Sequence, residues 1–104
     1  MKIYKITEEE IIFDNGSKIT YDHNQDCCEV NYADFCQIEE SSKEFDFPED
    51  LIFEAVDGFG FMFGGSRMFF VPCYSVQNGY YTTEINIYFN GKCVISTDCE
   101  YSDS

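Results

Sequence analysis

Asp22, His23, Asp26, Cys27, Cys28 and Glu29 lie within one short stretch that holds the only histidine of the chain, an adjacent thiol pair and three carboxylates. Imidazole, thiolate and carboxylate are the side chains that bind zinc. The spacing does not suit a structural zinc, which takes paired ligands about two to four residues apart from two separate places. On a strand, Cys27 and Cys28 point to opposite faces, so only one of them could join His23. The expectation is therefore no metal. The plain alternative is one buried cysteine, one half-exposed cysteine and a histidine bonded to a neighbouring carboxylate.

Nucleophilic catalysis by Cys27 or Cys28 with His23 would need an electropositive setting to generate the thiolate, and the surrounding carboxylates oppose it. Carboxylate pairs for glycoside chemistry are so numerous that no single pair carries meaning. The glycine-rich run Gly58-Phe59-Gly60-Phe61-Met62-Phe63-Gly64-Gly65 lacks the Lys-Ser/Thr of a phosphate-binding loop, and its surroundings are anionic. No enzymatic constellation is complete, so the sequence points away from catalysis and from a cofactor.

Charge is the stronger clue. The 104 residues carry 20 acidic and 6 basic side chains, a net charge of -14. Twelve of the acids fall between Asp22 and Asp57 against Lys43 alone, a local charge of -11. An apolar fraction of 44%, with 18% aromatic residues, nevertheless supplies a core, so the chain reads as one folded acidic domain over 1–104. The N-terminus alternates and then turns acidic, with no continuous apolar run of the secretory kind and no window of membrane-spanning length. A cytoplasmic location is expected, with Cys27, Cys28, Cys36, Cys73, Cys93 and Cys99 as thiols in mostly buried positions.

The elements that must position these residues are short strands. Residues 2–6 read as the first. Glu10–Asp14 and Ser17–Tyr21 flank Asn15-Gly16, and Tyr80–Phe89 and Lys92–Thr97 flank Asn90-Gly91, two hairpin signals. Two-residue loops would set Ile12 opposite Ile19, and Ile87 opposite Val94 with Ile85, Ile87 and Phe89 facing the core. Residues 27–32 read as a strand with Glu29 and Asn31 on the solvent side, and 33–50 as an acidic loop with room for one helical turn. A strand over 51–57 precedes a run whose Phe59, Phe61 and Phe63 share one face, while its glycines let another backbone approach on the other. Arg67–Cys73 reads as a strand whose Pro72 belongs at an edge or at the strand's end, Ser75–Gly79 as a turn, and 98–104 as a frayed tail. The fold class is mainly β: a small antiparallel sandwich or partly open barrel, with a short helix at 33–44 as the α+β variant.

The patch His23-Asn24-Gln25-Asp26-Cys27-Cys28-Glu29, together with Asn78-Gly79-Tyr80-Tyr81, resembles a small, functionally uncharacterised domain family of phages and gut bacteria. The resemblance covers these patches and the rough strand order. It implies an intracellular, phage-encoded β domain and carries over no catalytic roles.

A folded surface dense in carboxylates repels nucleic acid and attracts the basic grooves that hold it. The expected function is a small acidic interaction protein that inhibits a nucleic-acid-handling host-defence protein, in the manner of an anti-CRISPR, by docking an acidic face on a basic groove. Asp22, Asp26, Glu29, Asp34, Glu39, Glu40 and Glu44 would form that face, with Tyr32 and Phe35 as anchors. Such a protein binds neither nucleic acid nor membrane directly and acts as a monomer or homodimer. The competing reading is a structural or metal-binding β domain whose acidity serves solubility only.

Overall fold

The computed structural model describes residues 1–22, 30–56, 58–77 and 83–103, with the backbone alone for Gln77 and residues 101–103. The chain is mainly β. Its strands are β1 (Ile3–Ile6), β2 (Glu10–Phe13), β3 (Lys18–Asp22), β4 (Val30–Ala33), β5 (Ile52–Val56), β6 (Gly60–Gly64), β7 (Met68–Gln77), β8 (Glu84–Phe89), β9 (Lys92–Asp98) and β10 (Glu100–Asp103). They form two sheets, not a closed barrel. The first has the order β1-β2-β3-β8-β9, and the second β10-β7-β6-β5 with β4 also paired to β7. All pairings are antiparallel except β10 with β7.

Both Asn-Gly turns form hairpins, but with different loops. Asn90 and Gly91 both have positive φ, as a two-residue type I′ turn demands, and Phe89 pairs with Lys92. At the first hairpin only Gly16 has positive φ, and Phe13 and Ser17 are bonded around a three-residue loop, Asp14-Asn15-Gly16. The register therefore places Ile11, not Ile12, opposite Ile19. Ile11, Phe13 and Ile19 are all buried, so the extra loop residue aligns both apolar faces with the core. The second hairpin carries a bulge after Tyr88–Cys93: Ile87 meets Ile95, and Val94, expected as its partner, is the extra, exposed residue.

The core lies between the two sheets. Phe13 of the first sheet meets Phe63 of the second at 6.5 Å between ring centroids. Phe47 stands in the middle of an aromatic cluster, 5.6 Å from Phe13, 4.8 Å from Phe45 and 5.4 Å from both Phe63 and Phe69. Phe35, Ile38 and Phe47 all come from the segment expected to be an acidic loop. That segment contains two 3₁₀ turns, Phe35–Gln37 and Glu40–Glu44, and no α-helix. Full burial of each such phenylalanine contributes on the order of 1.5–3 kcal/mol, which a merely solvated loop would forgo.

The phenylalanine alternation holds for Phe61 and Phe63, which are fully buried, and fails for Phe59. Phe59 sits in the β5–β6 turn with φ +61°, exposed. The expected close approach is found at Gly60, where a Cβ would collide with the Val71 carbonyl and lie 2.9 Å from the Phe70 ring.

Three other expectations are corrected. Pro72 lies in the middle of β7, where the partner strand changes from β6 to β4, and its carbonyl accepts the Asp34 N–H at 2.8 Å. Its missing N–H thus falls at a junction between ladders. Ser75 is buried strand, not turn, because β7 runs on to Gln77. Residues 100–103 are not a frayed tail: after buried Cys99 the chain leaves the first sheet and joins the second as β10.

Candidate partner-binding surface

Between β3, β4 and the β1–β2 loop lies a cleft lined by Glu8, Tyr21, Val30, Tyr32, Ala33 and Asp34. Thr7 shapes the loop. Its Oγ1 accepts the N–H of Glu9 at 3.2 Å and of Glu10 at 3.1 Å, and its own N–H donates to the Glu10 carbonyl at 2.9 Å. Such a turn, made by a side chain bonding its own backbone, presents Glu8 and Glu9 outward. Tyr21 continues the inward alternation of β3 to the border of the core, where its ring packs on Phe35 at 5.8 Å. Tyr32 stands on the outer side of β4 and meets Tyr74 at 5.6 Å.

The electrostatics bind this group together. The Tyr21 phenol is raised above its ordinary value, first by burial and then by the charges of Glu9 and Glu8, by Tyr32 and by Asp34. The Tyr32 phenol is raised by burial, then by Asp34 and Tyr74. Both phenols therefore stay neutral at physiological pH, so they act as hydrogen-bonding and ring surfaces and not as bases. Among the described residues, basic groups pair with Asp46, Glu10, Glu40 and Glu39, while Glu8, Glu9 and Asp34 hold no cation. Carboxylates beside half-buried tyrosine rings suit a lysine ammonium or an arginine guanidinium, by ion pairing and cation–π attraction.

Of the expected contact residues, the fold brings Tyr32 and Asp34 into this cleft, with Asp34 accepting a hydrogen bond from Gln37 at 2.7 Å. Asp22 is exposed at the end of β3, 3.5 Å from the Tyr88 hydroxyl. Glu39, Glu40 and Glu44 stand apart, on and before the second 3₁₀ turn, which packs beside β1. Two of these three are already engaged, Glu39 with Arg67 at 2.8 Å and Glu40 with Lys43 at 3.1 Å. Phe35 is no anchor: it is fully buried, because the 3₁₀ turn it opens points its ring into the core. The strand side of Asn31 is also reversed, since Asn31 is buried and Val30 exposed. Asp26 and Glu29 lie outside the described residues, as do His23, Cys27 and Cys28. Glu8, Glu9 and Tyr21 were missed; the Thr7-Glu8-Glu9 step between two strands was their only local signal.

No family model matches the chain, and no match was found among curated proteins or solved structures. The two patches that carry the phage and gut-bacterial resemblance, 23–29 and 78–81, fall outside the described residues. Among the described residues, no group of three or more His, Cys, Asp or Glu is placed to hold a metal ion, and no helix is long and apolar enough to cross a membrane. Of the cysteines described, Cys73 and Cys99 are buried thiols, whereas Cys36 and Cys93 are exposed, contrary to the expectation of general burial.

Proposed function

We propose that the protein is an acidic interaction module that docks on a basic protein surface of the kind that otherwise holds nucleic acid, and so blocks it. The observation that carries this reading is the cleft in which Glu8 and Asp34 flank Tyr21 and Tyr32, with the charge of Glu9 also acting on Tyr21 and none of the three carboxylates neutralised by a described basic side chain. With a net charge of -14 behind it, the cleft attracts lysine and arginine from a distance, and the tyrosines supply the short-range contact. A host-defence nuclease of phage-infected bacteria is the partner class that fits the expected setting.

The test begins with capture of partners on the immobilised chain from a bacterial lysate. Each captured partner is then assayed for nucleic-acid binding with and without the chain. The expected partner is basic, is released steeply by salt and loses nucleic acid on docking. The variant Glu8→Lys, Glu9→Lys, Asp34→Lys, folded by circular dichroism, should lose the interaction by more than tenfold. Undiminished affinity in that folded variant, or partners that keep their nucleic acid, would overturn the proposal.

A further inference from the structure

The two sheets differ on their outer faces. Across the first sheet, the outward rows are mixed and largely polar, such as Glu10–Thr20–Tyr88–Cys93 and Asp22–Asn86–Ser96. Across the second, strand alternation sends Phe61, Phe63, Phe69, Val71 and Cys73 inward and leaves an apolar surface outside. One outward row runs Glu54–Met62–Phe70 over β5, β6 and β7, and another runs Tyr32–Tyr74–Glu100 over β4, β7 and β10. Each row has an apolar middle and a carboxylate at one edge. Ile52 is 51% exposed, Val30 44% and Phe70 38% on this face. An antiparallel sheet that only faced water would alternate apolar-in with polar-out, as the first sheet does.

We infer that the outer face of the second sheet is a docking surface for a protein patch with an apolar centre ringed by lysine and arginine. Charge complementarity selects that occupant. A second copy of this chain would bring two bodies of net charge -14 together, with Glu54 and Glu100 at the edges of each, and like-charge juxtaposition of this kind opposes self-association. A basic rim instead pairs with those carboxylates while aromatic and methionine side chains lose their water, the arrangement of a hot-spot centre inside a polar rim. Tyr32 belongs both to this face and to the cleft, so the two surfaces are continuous. The inference rests on the proposed function and adds to it that affinity comes from the sheet face while the cleft supplies attraction.

The test uses three labelled synthetic peptides of equal length: alternating leucine and lysine, all lysine, and alternating leucine and glutamate. Fluorescence anisotropy should show the leucine–lysine peptide binding more tightly than the all-lysine one, with no binding of the leucine–glutamate peptide. Met62→Ser with Phe70→Ser should weaken the leucine–lysine peptide at least tenfold and leave the all-lysine peptide unchanged. Because Phe70 lies over the bare Gly60, Ile52→Ser serves as a second variant that disturbs no such packing and should weaken the same peptide severalfold. The inference falls if folded Met62→Ser/Phe70→Ser and Ile52→Ser proteins both keep full leucine–lysine affinity, or if the leucine–glutamate peptide binds equally well. It also falls if sedimentation shows a wild-type dimer that Phe70→Ser dissolves. Failure of the all-lysine peptide to bind wild type, with the leucine–lysine peptide still dependent on Phe70, would strike the cleft reading and spare this one.

Discussion

The Ser75 hydroxyl donates to the side-chain oxygen of Asn31 within the protein interior, and the Asn31 amide in turn donates to the Glu84 carbonyl at 3.3 Å. Ser75 and Asn31 stand on neighbouring strands of the second sheet, whereas Glu84 opens β8 of the first. A single buried side chain thus joins β4, β7 and β8. Thr97 Oγ1 makes a similar bridge from β9 to the Gly60 carbonyl at 2.6 Å.

Asn31→Ala removes both of these bonds from a buried position, and buried polar groups that lose a partner cost more than the net worth of the bonds. The expected destabilisation is about 1–3 kcal/mol, read from urea unfolding. A change within experimental scatter would mean that the inter-sheet bridge contributes nothing.

Phe59 and Phe63 of the glycine-rich run should separate sharply. Phe63→Ala opens a void in the aromatic cluster around Phe47 and should cost about 3–5 kcal/mol. Phe59→Gly removes a 47% exposed ring and relieves a φ of +61°, so it should be neutral or stabilising by up to about 1 kcal/mol. Equal losses at the two positions in thermal melts would contradict the separation.

Thiol chemistry should follow burial. In a Cys27→Ser, Cys28→Ser background, Cys36 and Cys93 should react quickly with a chromogenic disulfide, and Cys73 and Cys99 only on unfolding. A hydrogen bond with Cys99, and burial, push the Cys73 thiol well above its ordinary range, which withholds the thiolate. Four fast thiols in the native protein would refute this.

Alkaline pH should weaken the fold through its tyrosines. Tyr21 and Tyr32 are raised in the folded state above an ordinary value of 10.0, so their contribution is fully present below that pH. It is lost as pH rises through the folded values. Stability should hold to about pH 10 and then decline, with phenolate absorbance at Tyr21 appearing late. Tyr21→Phe should flatten the decline, and an unchanged profile in that variant would exclude Tyr21 as a source.

Salt should raise the melting temperature, because the 22–57 region carries a net charge of -11 and no cation but Lys43. Between about 20 and 200 mM salt the Debye length shrinks to roughly 7 Å, which screens exposed carboxylates from one another. A melting temperature that falls over this range would show that the acids act mainly in favourable pairs.

The mainly β class, both hairpins and the inward side of Ile85 and Ile87 were legible from residue order, because period-two alternation and Asn-Gly turns are local signals. Acidity concentrated in one region was equally plain. Register was not: a one-residue difference in loop length, or one bulge at Val94, shifts every facing pair, and burial of Ile11, Phe13 and Ile19 chose between alternatives. Phe45 and Phe47 looked like loop residues because their charged neighbours hid them, and only packing between two sheets gave them partners. Whether a carboxylate could serve a partner was likewise a tertiary matter. Glu39 and Glu40 found Arg67 and Lys43, Phe35 turned inward, and Glu8 and Glu9 came beside Tyr21 and Asp34 across strands distant in the chain. Sequence determines which side chains carry charge and apolar area. Tertiary structure decides which of them water still reaches, because strand pairing and core burial spend some on the fold and leave others at the surface.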